Sequence, residues 1–415
     1  MTRPPRSQHQ ATQTWACRLL AGALLTASAS AYASWPDLVS LGARSPALGG
    51  TGIAHAEGFE ATYQNPSALW AGRRTLSVGF VYGSARTQLQ GSDHAIDDTT
   101  GVLLGGSVPL PLQGAMKDRL GLALGLYLPT GVVNRARVPF PEEPRAALLD
   151  TRTQVVSVLL GGGVRLPAGF SLGGGVLALA ALVGEIVIGP DGTGRITSVS
   201  QQEVTVDYTP ILGLRWQSPQ QQLAIGAVYR GVSRSSYNIQ VRTELGSSLP
   251  LVLPVIFFAG TAQYDPQQAG LEVAVRPTSQ LLLAVQGTWK RWSQYAYPIK
   301  PATAQSLALP DPNFHDTVVP RVALEWTAPP QKAVTLQLRA GYFFEWSPTP
   351  DPPPDTLAAQ LYDGSRHVLT AGGGVALHGR LPLHFDLFGQ VHILSAPGRM
   401  SGLLGTCGAV VGLAL

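Results

Sequence analysis

Residues 335–350, TLQLRAGYFFEWSPTP, decide the fold class of this chain. The even positions from 336 to 346 are apolar or aromatic, whereas the odd positions include Arg339 and Glu345. Alternation with a period of two predicts a β-strand with one apolar face and one mostly polar face. The segment is long enough to cross a bilayer, because a tilted transmembrane strand needs about 9–11 residues. The apolar face therefore meets either a protein core or lipid.

The N-terminal segment has the pattern of a secretory signal peptide. Arg3, Arg6 and Arg18 occur without any acidic residue, an apolar run covers residues 19–29, and Ala-Tyr-Ala at 31–33 is a small-x-small cleavage site. This order predicts a leader over residues 1–33 that does not belong to the mature fold. A transmembrane anchor is the alternative, and it is disfavoured because the apolar run is too short to span a bilayer.

The composition of the mature chain excludes several function classes. Removing the leader lowers the basic count from 29 to 26 against 25 acidic residues, so no basic stripe remains to bind nucleic acid. Only Cys407 survives cleavage, which excludes an intramolecular disulfide and a cysteine-based metal site. Only 13% of the residues are charged, against about 25% in ordinary soluble domains.

The alternating pattern recurs in about 14 to 16 segments between residues 75 and 415. A secreted chain with few charges, many such segments and aromatic residues at their ends predicts an all-β fold, an antiparallel transmembrane β-barrel. A soluble β-sandwich is the competing interpretation. In the barrel, residues 336–346 present their apolar face to lipid, and Arg339, Phe343 and Glu345 face the lumen.

Residues 34–70 lack the strand pattern and are rich in glycine and small residues, with Asn65-Pro66 before a short turn. The predicted organisation is a leader over 1–33, a non-strand segment over 34–70 and the barrel over 71–415. Composition leaves open whether the middle segment is a soluble cap, a tail or an internal plug.

Six ordered segments resemble the FadL/TodX family of outer-membrane transporters for hydrophobic compounds. They are residues 41–50 with Asn65-Pro66-Ser67, GLALGLYLPTG at 121–131, WKRWSQY at 289–295, residues 314–326, RAGYFFEWSPTPD at 339–351, and DGSRHVLTAGGG at 363–374. The resemblance covers essentially the whole mature chain. It implies a barrel of about 14 strands whose N-terminal segment plugs the lumen as a hatch, with Gly49, Gly50, Asn65 and Pro66 in it.

The resemblance also implies a function. Such proteins let a lipophilic molecule, for example a long-chain fatty acid or an aromatic hydrocarbon, diffuse passively through the plugged barrel and leave sideways near the third strand, here residues 119–128. The expected setting is the outer membrane of a Gram-negative bacterium, as a monomer among outer-membrane lipids inserted by the barrel-assembly machinery. The alternative is a barrel that serves as a binding or assembly partner for secreted proteins. No serine–histidine arrangement indicates an enzyme.

Two groups of residues are candidates for ligand contact. The apolar, proline-rich stretch 245–258 is unusual for an exposed loop, so Leu251, Ile256 and Phe257 are predicted to line an extracellular hydrophobic groove. The alternative is that residues 255–258 only begin the next strand. Arg339 is the cation predicted to meet a ligand carboxylate, because Phe343 lies on the same face.

The remaining charged residues of the predicted lumen are expected to pair with one another and with the hatch, since buried charges need partners. These residues are Arg242, Glu244, Lys290, Arg321, Glu325 and Glu345. His384 and His392 lie about 26 Å apart along one strand at ~3.3 Å per residue, too far to share a metal ion. The sequence therefore predicts neither a metal nor a cofactor.

Overall fold

A computed structural model describes residues 35–130, 145–146, 148–149, 155–190, 195–243, 255–295, 311–329, 333–350, 361–396 and 399–415. The strands in chain order are β1 (Thr75–Leu89), β2 (Ser92–His94), β3 (Thr99–Pro109), β4 (Leu120–Pro129), β5 (Arg145–Ala146), β6 (Ser157–Arg165), β7 (Phe170–Pro190), β8 (Ile196–Gln217), β9 (Leu223–Arg230), β10 (Ser233–Thr243), β11 (Ile256–Asp265), β12 (Gln268–Val275), β13 (Leu281–Lys290), β14 (Thr317–Thr327), β15 (Val334–Glu345), β16 (Leu361–Tyr362), β17 (Ser365–Leu377), β18 (Leu383–Ser395) and β19 (Met400–Ala414).

Fourteen of these strands form a closed antiparallel wall: β1, β3, β4, β6 to β9, β12 to β15 and β17 to β19. Each pairs with the next along the chain, and β19 closes on β1 from Ala414 opposite Thr75 to Met400 opposite Leu89. Closure pairs every edge of the wall, which a spanning sheet requires because lipid offers no hydrogen-bond partner. The predicted barrel of about 14 strands is confirmed.

The two faces of β15 confirm the interpretation of residues 335–350. Leu336 and Leu338 face outward and are 49% and 59% exposed, whereas Arg339 and Glu345 face inward and are 5% and 3% exposed. The same division holds around the barrel, where the exposed large apolar residues form an outward belt. Nothing but lipid can cover a belt of this size on every side, so alternation here separates lipid from lumen.

Two strands of the wall are interrupted near the end of the barrel that carries the long connections. Beyond each interruption, the residues that alternation would turn to the lumen face outward, and the reverse. β9 stops at Arg230 and resumes as β10, and β11 is likewise separated from β12. Continued alternation from β9 would turn Tyr237 outward, but Tyr237 is buried and only 1% exposed. The prediction that Arg242 faces the lumen is also wrong: its side chain is 48% exposed and pairs with Glu185 at 2.9 Å, because β10 there runs beside β7.

The N-terminal segment lies inside the barrel. It contains three short helices, α1 (Trp35–Leu38), α2 (Arg44–Ala47) and α3 (Ala61–Gln64), and the 3₁₀ turns Gly58–Glu60 and Pro66–Ala71. Nearly all of its residues are buried, and the first wall strand begins at Thr75. We call residues 35–71 the hatch. No helix of the described residues is long and apolar enough to span a bilayer.

Candidate functional site

The inner wall is divided into a polar half and an apolar half, and the hatch meets both. Strands β12 to β17 present buried polar side chains to the lumen, including Glu272, Lys290, Glu325 and Arg339. Strands β1 to β8 with β19 present mainly glycine and large apolar residues, and β9 lies at the boundary, where Arg230 contacts Gln268 of β12. The polar half holds the hatch by hydrogen bonds and ion pairs, whereas the apolar half holds it mainly by close packing.

Lys290 is the centre of one group of ion pairs on the polar half. Its ammonium lies 2.9 Å from Asp37 Oδ2 of the hatch and 2.8 Å from Glu345 Oε1 of the wall. Arg366 donates to the other oxygen of Glu345 through Nε, at 3.0 Å, and Nη2. Lys290 is 0% exposed, so helix α1 is attached through a fully desolvated charge. Breaking such a pair is costly because it leaves an uncompensated buried charge.

A second group of ion pairs holds helix α2. The Arg44 guanidinium donates to both oxygens of Glu325, each at 2.8 Å, in a bidentate geometry. Arg339 donates to Glu325 Oε2 at 2.8 Å and also contacts Asp386 and Gln337. Planar fork-to-carboxylate pairs fix orientation as well as distance, so these contacts set the position of α2 against β14 and β15.

Backbone groups of the hatch supply further contacts. Glu272 accepts the N–H groups of Gly52 and Ile53 at 2.7 and 2.8 Å and that of Ala54 at 3.2 Å. Arg321 donates to Gly49 O at 2.7 Å. Gly49 has φ of 65° and Gly50 has φ of 71°, a left-handed conformation in which glycine carries no steric penalty.

Within the hatch, burial shifts the pKa values of several titratable groups, among them His55 and Glu60. Burial lowers the pKa of His55 well below its ordinary value, and the positive charge of Arg44 acts in the same direction. His55 is therefore neutral at pH 7, and Nε2 lies 3.2 Å from Thr51 Oγ1 and 3.3 Å from Glu272 Oε1. Burial raises the pKa of Glu60 to about 7, against the opposing effect of three backbone N–H donors from residues 43–45.

Asn65 and Pro66 join the hatch to the glycine-rich wall. Asn65 caps the 3₁₀ turn by accepting the N–H of Ser67 at 3.1 Å, and its amide donates to Ile53 O at 2.6 Å and to Leu214 O of β8 at 3.1 Å. A Cβ on Gly173 of β7 would overlap the backbone of Pro66 and Ser67. The wall glycines thus allow backbone to approach backbone at this contact.

Changing Asn65 to aspartate is expected to loosen this contact, because the isosteric carboxylate cannot donate to the two backbone carbonyls. Losing donors to buried acceptors costs about 1–3 kcal/mol. Limited proteolysis of the purified protein should then cut the hatch faster than in the wild type. The exposed Asn238→Asp is the matched control, and equal cleavage rates for both variants would contradict the assignment.

The apolar half contains one continuous hydrophobic cluster. It reaches from outer-end residues such as Leu149 and Met400, through Leu103 and Leu159 of the wall, to Leu41 of the hatch. Trp35 of the hatch stacks on Tyr127 of β4, with ring centroids 5.2 Å apart. A small cavity lies beside Trp35, lined mostly by apolar atoms, with Leu149 and Leu404 on its outer side.

Sequence reasoning missed an aromatic cluster near the outer ends of β12, β13 and β14. Tyr264, Trp292, Tyr295 and Phe314 are buried together, and Tyr295 stacks on Phe314 with centroids 4.5 Å apart. The family-like segment WKRWSQY supplied two of these four residues, but their common burial depends on strands distant in sequence. The cluster lies among the long connections at one end of the barrel.

The predicted ligand residues are not brought together. Arg339 and Phe343 are both buried, but the Arg339 guanidinium is occupied by Glu325 and Asp386, and Phe343 lies under Arg321 at 4.1 Å. Ile256 begins β11 and is 51% exposed, and the backbone of Phe257 follows in the same strand. Residues 256–258 therefore lie in β11, in line with the alternative, and the hydrophobic groove stays a prediction. Leu251 and Glu244 lie outside the described residues.

The wall next to the predicted exit is fully paired. β4 pairs with β3 from Gly121 opposite Pro109 to Pro129 opposite Gly101, and with β6 from Leu120 opposite Val164 to Tyr127 opposite Ser157. Neither ladder contains a register shift. A molecule leaving sideways at this strand would have to separate paired backbone. Among the described residues, no three potential metal-ligating side chains cluster.

A closed barrel of fourteen strands with an inserted hatch and an apolar inner half defines a class, the plugged transport barrels of the outer membrane. The model of the family "Outer membrane protein transport protein (OMPP1/FadL/TodX)" matches residues 22–385, and the chain belongs to this family. It is therefore a protein of the outer membrane of a Gram-negative bacterium, in a family that transports hydrophobic compounds.

Solved structures with the same fold include three transport proteins. The chain is similar to a FadL homologue of Pseudomonas aeruginosa, at 14% identity and a TM-score of 0.58 over 93% of this chain and 98% of that one. It is similar to the toluene transporter TodX of Pseudomonas putida, at 14% identity and a TM-score of 0.53 over 91% and 98%. It is also similar to the toluene transporter TbuX of Ralstonia pickettii, at 16% identity and a TM-score of 0.53 over 91% of this chain and 98% of that one. No curated protein matches the sequence.

Proposed function

We propose that this protein is a passive channel for the uptake of lipophilic molecules, with long-chain fatty acids and aromatic hydrocarbons as the candidate substrates. The observation that supports the proposal is the hydrophobic cluster that joins outer-end residues to the hatch and to the third wall strand. A molecule with apolar surface can replace these side-chain contacts without exposing apolar groups to water. A barrel that only docks secreted proteins does not need a hydrophobic cluster that runs from its outer end into the lumen.

The proposed route begins at the aromatic cluster, passes the cavity beside Trp35, and follows the apolar half between the hatch and strands β3 to β6. Because the polar half fixes the hatch through ion pairs, the apolar half is the side on which small displacements cost least. The proposed exit is at β4, where the inner wall is lined by Gly121 and Gly125. We further propose that Arg339 meets a ligand carboxylate only when one of its present partners moves away.

Leu404→Trp tests the route, because the larger ring would fill the cavity next to Trp35. We expect uptake of a radiolabelled long-chain fatty acid, or of radiolabelled toluene, to fall roughly tenfold in cells expressing the variant, since overpacking costs about 1–3 kcal/mol and 1.4 kcal/mol is a factor of ten. Which of the two probes the wild type takes up identifies the substrate class.

Leu403→Trp is the matched control. Leu403 is the neighbour of Leu404 in the sequence, but its side chain points to lipid and is 52% exposed. Tryptophan is well tolerated at the edge of a membrane. Normal membrane levels of both variants, with loss of uptake only in Leu404→Trp, would support the route. Equal uptake by both variants would exclude it, and no uptake of either probe by the wild type would contradict the proposed function itself.

A further inference from the structure

Two buried guanidinium groups on the polar side of the lumen form no ion pair among the described residues. Arg230 is 6% exposed and donates to Tyr63 O at 3.0 Å, Gln64 O at 3.2 Å and Gln268 Oε1 at 3.2 Å. Arg321 is 8% exposed and donates to Gly49 O at 2.7 Å. All of these acceptors are neutral. A buried cation without a counter-charge is strongly unfavourable.

The neighbouring charges do not supply the missing counter-charge. Lys290 pairs with both Asp37 and Glu345, and Arg366 pairs with Glu345, which balances two cations with two anions. The remaining pair, Arg230 and Arg321, lines one small cavity between the hatch and the wall. The lining includes one carboxylate, Asp37, but Lys290 already pairs with it, so the two guanidiniums keep a formal charge of +2.

The other buried carboxylates of the described residues do not change this balance, because none of them lines the cavity: Glu60, Asp265, Glu272, Glu325 and Asp363. The two arginines approach the cavity from different wall strands, β9 and β14, while the hatch forms the side between them. The site therefore depends on the hatch being in place.

The size of the cavity suits a small ion. Its free space is about 20 Å³, and a space of roughly 10–15 Å³ holds one water molecule. A fatty acid or an aromatic hydrocarbon is far too large for it. The site is thus separate from the proposed route, which follows the other half of the lumen.

Gln286 adds a polar group that lacks a partner. It is 4% exposed, its Nε2 donates to Thr288 Oγ1 at 3.1 Å, and its Oε1 has no partner among the described residues. The two ends of an amide are assigned from the hydrogen-bond network. In the rotated orientation Thr288 donates to Oε1, and the NH₂ group becomes a third donor into the cavity beside the two guanidiniums.

We propose that this cavity binds one monovalent inorganic anion of the size of chloride, held by Arg230 and Arg321 with the Gln286 amide. The anion offsets part of the positive charge of the two guanidiniums. Both arginines also hold backbone carbonyls of the hatch, at Gly49 and at Tyr63 and Gln64. Anion binding therefore stabilises the seated hatch, since a ligand that binds only that state favours it by mass action.

The test uses bromide, which replaces chloride and scatters anomalously. Crystals of the full-length mature protein grown in sodium bromide should show an anomalous peak between the Arg230 and Arg321 guanidiniums. Arg321→Gln should lose this peak, whereas Arg276→Gln, outside the lining, should keep it. Absence of the peak in the wild type, with only water in the cavity, overturns the proposal. Equal bromide occupancy in Arg321→Gln also overturns it and leaves an adventitious ion only.

Thermal melting in detergent gives a second measurement. At equal ionic strength the wild type should melt at a higher temperature in bromide than in gluconate, whose anion is too large for the cavity. Gln286→Leu, which keeps both guanidiniums and removes one donor, should show a smaller difference and serves if Arg321→Gln does not fold. The same melting temperature in both salts for the wild type contradicts a stabilising anion. Neither readout depends on transport.

Discussion

Replacing Lys290 with methionine is expected to free helix α1 from the wall and to open an ion-conducting path through the barrel. The substitution leaves the carboxylates of Asp37 and Glu345 without the ammonium that both now contact. Breaking a buried pair from one side costs about 3–5 kcal/mol, which corresponds to roughly a hundredfold or more in the population of the seated hatch. In planar bilayers the variant should conduct ions where the wild type stays closed.

Arg242→Met is the matched control for this experiment. The Arg242–Glu185 pair has a similar distance, 2.9 Å, but its side chains are 48% and 39% exposed. Exposed pairs contribute only about 0–1 kcal/mol, so this variant should stay closed. Adding Asp37→Asn to Lys290→Met should restore part of the closure, because one uncompensated charge disappears. A closed Lys290→Met barrel, or leakage equal to that of Arg242→Met, would show that the ion pairs do not hold the hatch.

Gly173→Ala is expected to displace the hatch from the opposite, apolar side. The new methyl group would overlap backbone atoms of Pro66 and Ser67, and backbone cannot move aside as a flexible side chain can. Forced overpacking costs about 1–3 kcal/mol. Hydrogen exchange of residues 61–71 should become faster, and conductance should rise less than in Lys290→Met because the ion pairs remain.

The next residue provides the control for this prediction. Gly174 points outward, and a Cβ there would come no closer than 3.9 Å to Leu212. Gly174→Ala should insert, stay closed and exchange at the wild-type rate. If both alanine variants behave alike, the close contact between the wall glycine and the hatch is not what seats this segment.

The limits of prediction follow from the range over which each signal acts. Alternation is local, so residues 335–350 identified a strand with a lipid face and a lumen face. The break after Arg230 has no comparable local signal, and the extrapolated pattern therefore placed Tyr237 and Arg242 on the wrong faces. The partners of Lys290 are Glu345, 55 residues away in the sequence, and Asp37, 253 residues away. A local hydrophobic pattern cannot predict a pairing between residues so far apart.

The sequence by itself determined the barrel, its membrane setting and the existence of a separate N-terminal segment, because a strand that separates lipid from lumen must alternate at every step. Only the tertiary structure decided how the lumen is divided. Three features depend on contacts between strands and hatch that are hundreds of residues apart: which half is polar, what each buried charge contacts, and why two arginines form no ion pair among the described residues. These contacts determine the arrangement of the lumen because a buried charge has no water to solvate it and needs a partner within the protein.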